Sequence, residues 1–153
     1  MTSNKEKVAP PATILVVDDN TDTVDILTRL LLRRGMNTLA AYSGQECLDI
    51  VRTQAVDVIL LDVMMPGMDG LEVCEELKRL ATRVPIILVT AKDDMATRAA
   101  GMTLGVSEFV VKPVNHLDLL ERIQTQLAVR RWEQETDRTS AGLTLPKPPT
   151  TKD

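Results

Sequence analysis

Four apolar runs in this chain each end on a polar residue that can do chemistry. Ile14-Leu15-Val16-Val17 leads into Asp18 and Asp19, and Val58-Ile59-Leu60-Leu61 into Asp62. Ile86-Ile87-Leu88-Val89 leads into Thr90, and Phe109-Val110-Val111 into Lys112. Continuous β-branched and leucine runs of this length read as strands buried on both faces. The segments between them are long enough for crossover helices, so the strands are expected to be parallel. With a further strand near 37–41, the pattern predicts strands at about 13–17, 37–41, 57–61, from Pro85 to Thr90, and 107–111.

Helices fill the gaps. The first, about 21–34, carries Val24, Leu27 and Leu31 on one stripe and stops at Gly35. Ser43 with Glu46, and Asp69 with Glu72, have capping-box spacing for helices at about 44–53 and 70–81. Asp93 or Asp94 starts a fourth helix, about 94–103. Asn115 caps a fifth, with Asp118 in its first turn and an end near Gln134. In that helix Leu120, Ile123 and Leu127 form the expected inward stripe, and Leu119, Arg122 and Gln126 a separate outer face beside Arg98 and Met102.

Five strands alternating with five helices make an α/β fold: a three-layer, doubly wound, five-stranded parallel sheet. Size and unit count fit the flavodoxin-like order 2-1-3-4-5, whose switch point lies between strands 1 and 3. Those strands end in Asp18-Asp19 and Asp62, so the acidic residues are expected at the switch-point crevice, where function collects in such sheets. The expected organisation is a disordered lead-in at 1–11, one domain at 12–134, whose fifth helix has the alternative of extending as a connector, and a disordered tail at 135–153.

Composition narrows the function. With one Phe, one Tyr and one Trp in 153 residues, the core must be aliphatic. A net charge of −4 without a Lys/Arg block gives no electrostatic footprint for direct nucleic-acid binding. No apolar stretch approaches the ~20 residues of a membrane span, and the first residues lack a signal-peptide segment. The expectation is a cytoplasmic protein without a membrane partner. Cys47 and Cys74 read as free buried thiols, and one His with no C-x-x-C pair gives no zinc site.

Asp18, Asp19 and Asp62 crowded at one rim would repel each other and favour a cation. Oxygen-only ligands select a hard ion, and Mg²⁺ suits one or two carboxylates combined with a phosphate. Lys112 is a point-charge phosphate binder, and Thr90 offers a hydroxyl donor. The chain has neither G-x-x-x-x-G-K-[ST] nor G-x-G-x-x-G. That leaves a carboxylate that itself accepts phosphate, with Asp62 the best placed. Met64, Met65 and Met68 are read as a loop packing over the site.

The segments ILVVDDN, VILLDVMMPGMDG, ILVTA and GVSEFVVKP, in this order over about residues 12–130, resemble the receiver domain of bacterial response regulators in two-component signalling. The resemblance implies that Asp62 is the phosphoacceptor. It implies Mg²⁺ held by Asp18, Asp19, Asp62 and the Met64 backbone carbonyl. Lys112 would pair with the phosphoryl oxygens, Thr90 would be the switch hydroxyl, Phe109 the aromatic switch, and the bond to Pro113 cis. The implied partners are a sensor histidine kinase or phosphotransfer protein, a downstream protein, and a second copy in a homodimer. The implied output surface is the face of helix 4, strand 5 and helix 5. Ser107, Glu108 and Val114 depart from the frequent residues of the family without touching the phosphoryl chemistry.

Other readings fit less well. A haloacid-dehalogenase-type phosphatase needs D-x-D, but Asp62 is followed by Val63-Met64. A flavin or nucleotide carrier needs a phosphate loop after strand 1, where Asp18-Asp19-Asn20-Thr21 stands. A transcription factor needs an output domain after residue 130. The chain is therefore expected to be a switch, with phosphotransfer and slow self-dephosphorylation its only chemistry. The alternatives kept are a receiver piece of a longer regulator or hybrid kinase, and a phosphorylation-independent interaction module of the same fold.

Overall fold

The computed structural model describes residues 10–139. The elements run β1 (Thr13–Val17), α1 (Thr21–Arg33), β2 (Asn37–Ala41), α2 (Gly44–Thr53), β3 (Val58–Leu61), α3 (Gly70–Arg79), β4 (Ile86–Thr90), α4 (Met95–Thr103), β5 (Glu108–Val111) and α5 (His116–Thr139). All pairings are parallel, in the order β2-β1-β3-β4-β5. The expected fold class and strand order are those observed.

Alternation along the strands divides the core in two. Leu15, Val17, Ile59, Leu61 and Leu88 face a layer containing Leu48 of α2 and Val73 and Leu77 of α3. Ile14, Val16, Leu60, Ile87 and Val89 face Val24, Leu27 and Leu31 of α1 and Leu119, Leu120, Ile123 and Leu127 of α5. Both faces are covered, which is why the strand sequences are continuous apolar runs.

The helix starts follow the polar pattern, with one variation. Asp69 and Glu72 form a reciprocal capping box. Ser43 accepts from the Glu46 N–H, but Glu46 reaches the N–H of Tyr42 rather than that of Ser43. Asp94, not Asp93, caps α4, and Asn115 accepts from Asp118 N–H at the start of α5.

Two expectations for α5 are corrected. The helix continues to Thr139, so residues 135–139, assigned to the tail by composition, are helical. The segment Trp132–Thr139 holds neither Gly nor Pro, and its Glu, Gln and Arg residues tolerate a helix well. Residues 1–9 and 140–153, including most of the expected lead-in and tail, lie outside the described residues. Second, Leu119 is fully buried and Gln126 nearly so, rather than forming an outer face with Arg122. At 100° per residue, positions 119, 120, 123, 126 and 127 share one broad arc, so the inward stripe is wider than three residues. Among the described residues no helix is long and apolar enough to cross a membrane.

Candidate functional site

Register brings the candidate residues together. Val17 pairs with Leu61, so Asp18 and Asp62 leave the sheet side by side. Thr90 pairs with Val111, which sets Lys112 one residue beyond, its N–H donating to the Thr90 carbonyl at 2.9 Å. The Lys112–Pro113 peptide bond is cis.

Three strand ends use the same local device. Asp18 Oδ1 accepts from the N–H of Asn20 at 2.9 Å, Asp62 Oδ1 from that of Met64 at 3.2 Å, and Thr90 Oγ1 from that of Lys92 at 3.2 Å. Each is a side-chain oxygen bonded to the backbone two residues on, the geometry in which Asx and hydroxyl turns begin a loop. In the two aspartates it fixes Oδ1 and leaves Oδ2 to meet Lys112. Neither Asp18 nor Asp19 caps α1; Asn20 does that, accepting from Thr23 N–H at 3.1 Å. The helix therefore makes no claim on the two carboxylates.

Lys112 closes the group. Its Nζ lies 2.6 Å from Asp18 Oδ2 and 3.4 Å from Asp62 Oδ2. Burial works to lower the pKa of this ammonium, but the hydrogen bond to Asp18 and the charges of Asp62 and Asp18 outweigh it, and Lys112 is held above its ordinary 10.5. Asp18 and Asp62 are buried, while Asp19 is exposed beside them, with carboxylate oxygens of all three within 4.8 Å of one another. One ammonium thus bonds two of three clustered carboxylates. All the donors are hard oxygen, with no Cys or His among them, which is the set a hard divalent cation requires.

The loop after Asp62 is clamped from below. A Cβ on Gly70 would run into the Asp62 carbonyl oxygen and come within 2.8 Å of Val63 Cα, so only glycine lets α3 start this close. Met65 is buried and Met68 packs against the core, but the Met64 side chain is 57% exposed. Of the three methionines in that loop, Met64 is the exposed one. It follows two buried residues, Asp62 and Val63, and its backbone N–H, not its side chain, is what engages the site.

The family model of the response regulator receiver domain matches residues 14–124. This chain belongs to the response regulator receiver domain family. It is similar in structure to a CheY-like response regulator receiver domain protein from Methanospirillum hungatei, at 28% identity over 80% of this chain and 98% of that one, with a TM-score of 0.78. It is also similar to the chemotaxis protein CheY4 of Vibrio cholerae, at 28% identity over 74% and 97% with a TM-score of 0.71. The receiver domain of Francisella response regulator 1452 matches at 27% identity over 76% and 96%, with a TM-score of 0.72. Receiver domains are phosphorylation-dependent signalling switches rather than metabolic enzymes.

In this receiver domain Thr90 is fully buried at the end of β4. Phe109 is half-buried on β5, opposite Leu88 in register, and packs against the core. Sequence reasoning missed three partners. Arg98 lies over the Phe109 ring, Glu108 accepts from both Arg122 and Gln126, and Asn20 takes the α1 cap. Asn20 had a signal in its preference for cap positions. The other two depend on contacts between separate elements and leave no mark in the local pattern.

Proposed function

We propose that this receiver domain is switched by transfer of a phosphoryl group to Asp62 from a sensor histidine kinase or phosphotransfer protein in the cytoplasm. The observation that carries the reading is the buried Asp62 carboxylate at the end of the central strand, with Lys112 Nζ 3.4 Å away and Asp18 on the same ammonium. Asp18, Asp19, Asp62 and the Met64 carbonyl would hold Mg²⁺, which supplies positive charge against the phosphoryl oxygens when bound.

Asp62 acts as nucleophile. A carboxylate oxygen forms the O–P bond as the P–N bond to the donor imidazole breaks, and the imidazole leaves with the bonding electrons. Lys112 then turns from the Asp62 carboxylate to the phosphoryl oxygens it now carries. The Thr90 oxygen accepts the Lys92 N–H, which leaves its hydroxyl proton to donate to the phosphoryl group. Movement of Thr90 toward that group opens room for Phe109 to turn inward. The α4–β5–α5 surface changes, and a downstream protein or a second copy distinguishes the two states. A second reading, the receiver part of a longer response regulator, is favoured by α5, which runs on past the matched residues to Thr139.

Intact mass after incubation with acetyl phosphate tests the proposal. One phosphoryl group should appear with Mg²⁺ and none in EDTA, and Asp62→Asn should abolish it. A normal phosphorylated mass in Asp62→Asn would refute the assignment. Thr90→Ala should take up phosphate but leave oligomeric state and partner binding unchanged by it.

A further inference from the structure

Phe109 is the only phenylalanine in the chain, and its ring carries a cation on one face. Arg98 of α4 lays its guanidinium over the ring face, with Cζ 4.4 Å from the centroid. The same guanidinium donates through Nε to Asp93 Oδ1 at 2.7 Å. Asp93 belongs to the short loop that follows Thr90, and that loop is bonded to Thr90 itself through the Lys92 N–H. A continuous set of contacts thus runs from the Thr90 hydroxyl through Asp93 and Arg98 to the Phe109 ring.

We propose that Arg98 is a positioning residue that latches Phe109 in the orientation the structure shows and ties the ring to the loop after Thr90. The inference rests on the reading of Thr90 and Phe109 as the relay, and adds the group that sets its bias. A planar guanidinium can stack on a ring and keep an edge N–H for a carboxylate at once, which an ammonium cannot do as well. Asp93 holds the guanidinium in place, so the ring cannot turn without giving up its cation. Displacement of the loop at Thr90 would carry Asp93 with it and draw Arg98 off the ring. Because coupling is reciprocal, a latch that opposes ring rotation also disfavours the phosphorylated state at equilibrium. Arg98 and Asp93 are both about half exposed, so the bias is small, about two- to fivefold, the size of one partly exposed cation–π contact.

The sole phenylalanine makes the test direct. In the unphosphorylated chain of 153 residues labelled with ¹³C,¹⁵N-phenylalanine, three-bond couplings to Cγ report the χ1 populations of Phe109 alone. Arg98→Ala should shift the rotamer ratio of Phe109 about two- to fivefold. Arg98→Met, which keeps the aliphatic stem without the charge, should behave like Arg98→Ala. Arg98→Lys should recover part of the wild-type ratio. Wild-type χ1 populations in Arg98→Ala would overturn the latch, as would a wild-type ratio in Arg98→Met, since packing alone would then hold the ring. If the wild type takes no phosphate on Asp62, the proposed function fails, while the χ1 comparison still decides the role of Arg98.

Discussion

Lys112 and Arg122 each stand between two carboxylates, in different surroundings. Lys112 reaches from the end of β5 to Asp18 and Asp62, whose side chains are only 4% and 7% exposed, and these partners are 94 and 50 residues away in sequence. Arg122 bridges Glu108 on β5 and Asp118 one turn earlier on α5, with side chains 21% and 46% exposed. Gln126 donates a further bond to Glu108 at 3.1 Å. In the second group every carboxylate has a bonded partner, and the group braces β5 against α5. In the first, Asp19 adds a third carboxylate that the one ammonium does not neutralise. The same charge motif is a brace where every carboxylate is bonded and partly in water, and it leaves an excess of carboxylate charge where it is buried and one carboxylate has no bond to the cation.

Removing each cation should break this comparison most sharply. Lys112→Met leaves Asp18 and Asp62 buried without their cation. It should lower the stability of the metal-free protein by about 2 kcal/mol in urea unfolding, less than for a fully buried pair because the ammonium is partly exposed. Mg²⁺ should restore more stability to this variant than to the wild type; an equal gain in both would mean that the ammonium and the metal do not serve the same carboxylates. Arg122→Ala should cost only about 0.5–1 kcal/mol, in keeping with partly exposed pairs, and leave phosphorylation of Asp62 unchanged.

The pH dependence tests the Lys112 pairing as well. The folded pKa of Lys112 is raised above 10.5, so the folded state holds its proton longer than the unfolded chain. Its contribution is fully present below pH 10.5 and is lost as pH rises through the folded value. In EDTA, the stability difference between wild type and Lys112→Met should therefore shrink above that pH. A difference that stays constant or grows would contradict the pairing.

Asp19→Ala should have a smaller and opposite effect. The unpaired charge sits at the exposed edge of the group, so the metal-free protein should gain about 0.5 kcal/mol or less. Mg²⁺ binding should weaken about tenfold, equivalent to ~1.4 kcal/mol, as read by calorimetric titration. A clear fall in metal-free stability would show that Asp19 is held by a favourable contact rather than by proximity alone. The smallest effect is expected at the thiols. Burial, with minor help from neighbouring charges, pushes Cys47 and Cys74 up to about 12, so a thiol reagent at pH 8 should label neither until the chain unfolds. Fast labelling of the native protein would show that α2 and α3 part more readily than their packing implies.

Much of the site was legible in the chain because its logic is local. A strand that ends in a polar residue must deliver that residue to the sheet edge, and parallel strands deliver theirs to the same edge. Asp18, Asp62, Thr90 and Lys112 could be placed together on that rule alone, and the apolar runs decided the sheet and its two covered faces. The family resemblance then added roles that spacing does not contain. What the tertiary structure decided was the pairing. Lys112 bonds Asp18 more closely than Asp62, and Arg98 stacks over the Phe109 ring. Leu119 and Gln126 turn inward, and α5 runs to Thr139 where composition alone suggested an end near Gln134. The physical reason is range. Periodicity and capping act within a few residues, whereas the choice among several charged or apolar neighbours depends on how far one element is rotated and shifted against the next, and only the packed fold sets that.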